Sequence, residues 1–155
     1  MKKSTIFILS SIILLAIAIR LKPLLEFPLW GSDSPEYFGL TQSLLLNGLL
    51  IENYSGWGFG YPYFPGMFLL DGALSVTTGI DVLTIQTLVI PTLGALTVIP
   101  VFLIGRRMFE DDRIGILASL VVAVVMPHVY TTSHPMPGAL GDLFFTTGLI
   151  VFLKI

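Results

Sequence analysis

The sequence predicts an all-α, polytopic membrane protein with about four spanning helices and two shorter interfacial helices in a long external loop. Two observations lead there. Apolar residues make up 54% of the chain and charged residues only 12%, where soluble domains carry roughly one-quarter charged residues, and the mean hydropathy is +0.89. The apolar residues are also gathered into runs approaching the ~20 residues of a bilayer crossing, at 4–25, 82–105, 114–130 and 139–154.

The first run follows Lys2 and Lys3 like the start of a secretory signal, but no small-x-small cleavage site precedes Arg20 and further apolar runs follow. It reads as an uncleaved anchor. Residues 26–81 then form an external loop. Its first part, up to Pro65, contains Glu26, Asp33, Glu36 and Glu52 and no Lys or Arg. In Ser34-Pro35-Glu36, Ser34 suits a helix cap, Pro35 the first helical position and Glu36 the positive helix end. Tyr37, Phe38, Leu40, Leu44 and Leu45 fall largely on one face until Asn47-Gly48, which predicts an amphipathic surface helix over 35–48. Residues 65–79 also run from proline to glycine, contain Asp71 and are short for a span, so a second surface helix is expected there.

Charge orients these elements, because cytoplasmic flanks are enriched in Lys and Arg. With four spans and a cytoplasmic N-terminus, Lys2, Lys3, Arg106, Arg107, Arg113 and Lys154 lie inside and only Arg20 and Lys22 outside. Counting 65–79 as a fifth span with the N-terminus outside divides the charges equally well; length and Asp71 favour four. In the four-span arrangement the acidic loop and residues 131–138 share the outer face, and 106–113 form a tight cytoplasmic turn. A net charge of -2 without a basic run argues against nucleic-acid binding. The chain has no cysteine, so any metal would be held by carboxylate or imidazole.

The stretch Trp30-Gly31-Ser32-Asp33-Ser34-Pro35-Glu36-Tyr37 is the richest in chemistry. Asp33 and Glu36, three residues apart across a helix start, suit proton abstraction or a divalent cation; equally, Asp33 and Ser34 suit capping and Glu36 the helix dipole. Asp142 lies a few residues inside the last run, where an ionisable group is expensive, although it also suits a first helical turn. His128 and His134 are candidate imidazole ligands, with a structural role beside their prolines as the alternative. Trp30, Trp57, Tyr54, Tyr61 and Tyr63 suit an interfacial aromatic belt or sugar stacking. Asn53-Tyr54-Ser55 matches the glycosylation sequon.

The order of elements carries a resemblance. A span ends in Arg20-Leu21-Lys22-Pro23, an acid precedes a helix, and Gly60-Tyr61-Pro62-Tyr63-Phe64-Pro65-Gly66-Met67 follows. Next come a helix ending in Thr78-Gly79, a span closing with Gly105-Arg106-Arg107-Met108-Phe109, a further span, and Ser133-His134-Pro135-Met136-Pro137-Gly138 before Asp142. This resembles the N-terminal membrane region of GT-C glycosyltransferases over nearly the whole chain. The Tyr-x-Phe-Pro-Gly-Met stretch is similar to oligosaccharyltransferase catalytic subunits, and Gly-Arg-Arg-x-Phe also to the protein mannosyltransferase and aminoarabinose transferase branches.

The resemblance implies a multi-pass transferase of the cell membrane, taking a sugar or oligosaccharide from a polyprenyl-phosphate donor to a protein, peptide or lipid acceptor on the outer face. It implies Asp33 as catalytic base or metal ligand and Glu36 as a second carboxylate. Tyr37, Tyr61, His134 and Asp142 are candidate substrate contacts, and Asp33 and Asp142 candidate ligands of manganese or magnesium. The Asp-x-Asp or close variant usual in oligosaccharyltransferases is here Asp-Ser-Pro-Glu, and the second acidic motif that normally follows the third span is represented only by His134 and Asp142. With no basic group in the external loop for a departing phosphate, the chain is expected to be an incomplete transferase, inactive alone. The rival reading is a non-catalytic module or part of a transporter, with the acids in an ion pathway; transporters place such groups near the midplane.

Overall fold

The computed structural model describes residues 2–48 and 60–153, and all regular structure among them is helical. Glu52, Tyr54, Trp57, Lys154 and the sequon lie outside the described residues. Helix α1, Lys3–Glu26, has 24 residues and α4, Val82–Phe109, has 28; both are long and apolar enough to cross a membrane. Between them lie α2, Ser34–Asn47, and α3, Gly66–Thr78. Their bounds agree with the expected helices to within one residue at each end. Gly48 and Gly79 close them at φ 61° and 73°, the left-handed conformation that favours glycine at a helix end.

The later elements depart from four regular spans. The expected third run forms α5, Asp112–Val124, and α6, Met126–Thr132, bent by 62° at Val125. These make a third crossing only as a broken pair. The fourth forms α7, Pro137–Phe152, whose 16 residues fall short of a full crossing by length. Prolines account for the irregularities, since each removes an N–H and its ring crowds the carbonyl four residues back. Pro91 follows a π turn over Ile85–Val89, in which Ile90 N–H reaches back to Ile85 O. Pro127 follows the break at Val125.

Two apolar layers hold the helices together. Ile12 and Ala16 of α1, Ala95 and Val98 of α4 and Ala123 of α5 form one; Tyr37, Leu40, Met67, Phe68, Ile90, Ala139 and Leu140 join α2, α3, α4 and α7 in the other. The crossing of α4 and α5 is backbone-close, because a Cβ on Gly115 would stand 2.7 Å from Phe102 O. Small residues at such crossings let packing replace the hydrophobic drive that lipid removes.

Contacts at the two ends of α1 sort the loops. Near its start, Thr5 Oγ1 donates to Asp112 Oδ2 at 2.9 Å, and Asp112 also pairs with Arg106 at 2.8 Å. Beyond its other end, Trp30 Nε1 donates to Ser133 Oγ at 3.3 Å. The 106–113 turn therefore neighbours the N-terminus, while the start of the acidic segment meets the 131–136 turn.

Arg20 departs from expectation. Rather than flanking a span, it is completely buried, where its guanidinium donates to Ala16 O at 3.0 Å, Ala123 O at 3.2 Å, Val122 O at 3.4 Å and Thr132 Oγ1 at 2.7 Å. In a continuous helix, Ala123 O would accept from residue 127, which is proline. Met126, which would serve Val122, lies beyond the bend. Arg20 supplies the missing donors, and its charge suits the negative end of α5.

Arg20→Met keeps length but loses every donor, so the buried Ala123 carbonyl is left unpartnered; a stability loss on the order of 3 kcal/mol is expected. Arg20→Lys should recover only part of it, lacking the planar fork. Unfolding of the purified protein in detergent measures both, and wild-type stability in Arg20→Met would remove Arg20 from this role.

Candidate functional site

Asp33 occupies the N-cap position of α2 but does not cap with its side chain. Only its backbone carbonyl serves the helix, accepting from Glu36 N and Tyr37 N, each at 3.0 Å. Ser34, expected as the cap, is the first helical residue, and its hydroxyl turns back to donate to Trp30 O. The Asp33 carboxylate is thus left for side chains. Oδ1 accepts from Ser32 Oγ at 2.7 Å, and the Tyr37 and Tyr61 hydroxyls each lie 3.3 Å from Oδ2, where one tyrosine donates to the carboxylate while the other donates to its neighbour. The two tyrosine oxygens are 2.9 Å apart, with their rings edge to face.

Local sequence explains this convergence. Asp33 and Tyr37 are one helical turn apart, so both lie on one face of α2, and Tyr61 comes from the 3-10 turn Tyr61–Tyr63 that leads into α3. Burial raises the Tyr37 hydroxyl well above the ordinary tyrosine range, with further contributions from Tyr61 and Asp33. Tyr61 is also raised, first by burial and then by Asp33, against an opposing hydrogen bond with Tyr37. Both phenols therefore stay protonated as donors at neutral pH. Glu36 lies half-buried one residue before Tyr37, and its charge reaches Tyr61.

His134 joins the same neighbourhood. Gly31, at φ +100°, folds over its ring so closely that a Cβ there would stand 2.7 Å from His134 Cδ2. Tyr130 packs edge-on against both His134 and Trp30, at ring separations of 5.2 and 6.4 Å. Burial lowers the His134 pKa, opposed by the Tyr130 carbonyl and by Asp33. His134 is consequently a neutral imidazole beside a carboxylate held by hydroxyls.

Asp142 belongs to another cluster. Its Oδ2 lies 3.6 Å from His128 Nε2, and His128 Nδ1 lies 2.8 Å from Arg20 Nη2. Because a guanidinium only donates, Nδ1 is the acceptor and the imidazole proton sits on Nε2, towards Asp142. His128 and Arg20 thus tie α6 to α1, with Asp142 of α7 nearby but beyond hydrogen-bond distance. Among the described residues no group of three or more His, Asp or Glu side chains could hold a metal ion. Asp33 and Asp142, expected as shared ligands, stand beside different partners.

Of the candidate residues read from the sequence, the fold gathers Asp33, Glu36, Tyr37, Tyr61 and His134 and sets Asp142 apart. Sequence reasoning missed Ser32, Gly31 and Tyr130. The glycine beside Ser-Asp was the one visible signal, since a tight turn before a helix favours that residue. No family model matches this chain, nor does any curated protein or solved structure.

Because the folded-state pKa of His134 is lowered, the unfolded chain binds its proton more readily. Its contribution to stability is present above the ordinary histidine value, about 6.5, and falls as pH drops through and below it. His134→Gln should flatten that part of the stability profile relative to wild type. Thermal unfolding at a series of pH values in detergent measures the difference; parallel profiles would show that burial does not control this histidine.

Proposed function

We propose that this chain acts as the membrane region of a GT-C type glycosyltransferase, moving a sugar or oligosaccharide from a polyprenyl-phosphate donor to a protein, peptide or lipid acceptor at the outer face. The observation that carries the reading is the Asp33 carboxylate, released from capping and set among three hydroxyls at the start of α2. A carboxylate used only as a cap would point at backbone N–H groups.

Sidedness supports it. Lys2, Lys3, Arg106, Arg107 and Arg113 gather at the end where Thr5 meets Asp112, which the positive-inside rule assigns to the cytoplasm. The Asp33 cluster then faces outward, with α2 and α3 lying at the membrane surface. Four crossings follow when the broken α5–α6 pair counts as one and the bilayer thins locally around the short α7.

In this reading Asp33 takes the proton of the acceptor nucleophile, while the buried Tyr37 fixes the carboxylate's rotamer from beneath and the half-buried Tyr61 lines the acceptor's approach. Glu36 extends the acidic wall, and the neutral His134, buried under Gly31, supports the turn that carries Asp33. The departing phosphate calls for positive charge, which the buried and fully engaged Arg20 does not offer. A divalent metal would answer that need, but Asp33 and Asp142 do not form a ligand set, and no step here runs through one.

Asp33→Asn keeps the shape and removes the basicity. With a polyprenyl-phosphate-linked sugar and the full-length protein in vesicles, transfer should fall by at least the roughly 100-fold typical of losing a general base, with folding and insertion retained. Glu36→Gln should lose less. Near-normal transfer by a folded Asp33→Asn protein would overturn the assignment.

A further inference from the structure

Asp71 of α3 and Gln86 in the π turn of α4 are both completely buried and face each other. Gln86 Nε2 lies 2.9 Å from Asp71 Oδ2, 3.1 Å from Thr41 Oγ1 and 3.3 Å from Tyr37 O. Thr41 spends its own proton on Tyr37 O at 3.0 Å, so its oxygen must accept from Gln86, which fixes the orientation of the amide. Two atoms are then left buried without a partner, Asp71 Oδ1 and Gln86 Oε1. Both are acceptors on groups already joined at Nε2 and Oδ2, and a proton on Asp71 is the donor that this pairing lacks.

The surroundings favour that proton. From Pro23 to Gly105 the sequence contains no Lys, Arg or His, so α2, α3 and the first two turns of α4 offer no cation. The titratable groups near α3 on the elements packed against it are Asp33, Glu36 and Tyr37 on α2, Asp81 at the start of α4 and Asp142 on α7, with Tyr61 in the turn before it. None of these is basic, and Arg106 and Arg107 stand at the opposite end of α4, about five turns beyond Gln86. A buried carboxylate among them would be an uncompensated charge, which proteins avoid by neutralising the group.

We propose that Asp71 is held as a neutral carboxylic acid that donates its proton to Gln86 Oε1 while accepting from Nε2, a reciprocal pair that locks α2 and α3 onto the widened turn of α4. Burial raises the Asp71 pKa to about 6, against the opposing hydrogen bond from Gln86; donation to Oε1 favours the neutral form further. Through Tyr37, whose carbonyl Gln86 holds and whose hydroxyl reaches Asp33, the lock positions the carboxylate of the candidate site. Raising pH ionises Asp71 and loosens this junction. With its folded-state value raised, the pair's contribution to stability is complete below the ordinary aspartate value of about 3.9 and is lost as pH rises through about 6.

The test needs neither a substrate nor activity, so it can fail independently of the transferase reading. Infrared spectra of the protein in lipid nanodiscs near pH 5, where an ordinary aspartate is ionised, should show a protonated-carboxyl C=O band that Asp71→Asn abolishes. An amide at position 71 can still donate to Oε1 and accept from Nε2, so Asp71→Asn should unfold at nearly the wild-type temperature while losing the wild-type decline in stability as pH rises. Asp71→Ala, which cannot pair, should unfold at a clearly lower temperature. Gln86→Met should shift the band by removing its partner, which keeps the test decisive should Asp71→Asn not fold. Absence of the band in folded wild-type protein, its survival in Asp71→Asn, or a band unmoved in Gln86→Met would each overturn the proposal.

Discussion

The bundle depends on one guanidinium. A helix broken inside an apolar bundle exposes carbonyls that neither water nor lipid will satisfy, and each orphan costs several kcal/mol in such surroundings. The bend at Val125 creates this problem between α5 and α6, and Arg20 answers it from α1 by reaching Val122 O and Ala123 O. The same side chain holds Thr132 and His128, so the position of α6 follows from α1. Because α6 leads into Ser133 and His134, the turn that follows it inherits its place from that contact. The bend and Arg20 require one another: without the bend there are no carbonyls to cap, and without the cap the bend is too expensive.

The sequence revealed helix ends better than helix paths. Pro-led starts and glycine stops located α2 and α3 because these signals act over a single turn, and Gly48 and Gly79 adopt the φ values that the signals imply. The α5–α6 break was less visible. Hydropathy over 114–130 is continuous, and Pro127 reads equally as a kink or an end until its neighbours are known. Arg20 was misplaced for a related reason. An arginine near the end of an apolar run ordinarily flanks the bilayer, and only a partner about a hundred residues away along the chain reveals that it is buried. The acidic site was legible as residues, since Asp33 and Tyr37 share one helix face, but not as an arrangement. That Asp33 turns away from the backbone depends on Tyr61, a nonlocal neighbour.

Charge is segregated along the chain as well as across it. The absence of any basic residue from Pro23 to Gly105 means that every acid in α2, α3 and the turns between must be stabilised by hydrogen bonds, by water or by a proton. Asp81 takes the ordinary course at the exposed start of α4, where its carboxylate accepts from Thr84 N–H and hydroxyl at 2.9 and 2.6 Å. Asp33 is half-buried and gathers three hydroxyls. For the wholly buried Asp71, one amide bond leaves an oxygen unserved. The three residues share a chemistry but differ in access to water, and their partners differ accordingly.

That gradient also bears on how the candidate site is held. Tyr37 is buried beneath Asp33, so its hydroxyl cannot follow water and must keep the partners that the helices give it. Its backbone carbonyl is held from below by Gln86 and Thr41, and its ring is packed against Phe68 of α3 at a centroid distance of 6.1 Å. The π turn that carries Gln86 lies just ahead of Pro91, where the proline ring is accommodated by widening the helix rather than by breaking it. A local consequence of one proline in α4 is therefore transmitted through an amide, a carbonyl and a phenol to the Asp33 carboxylate. Asp33 is positioned by the interior of the bundle as much as by its own loop, so the rotamer of its carboxylate depends on residues that never touch it.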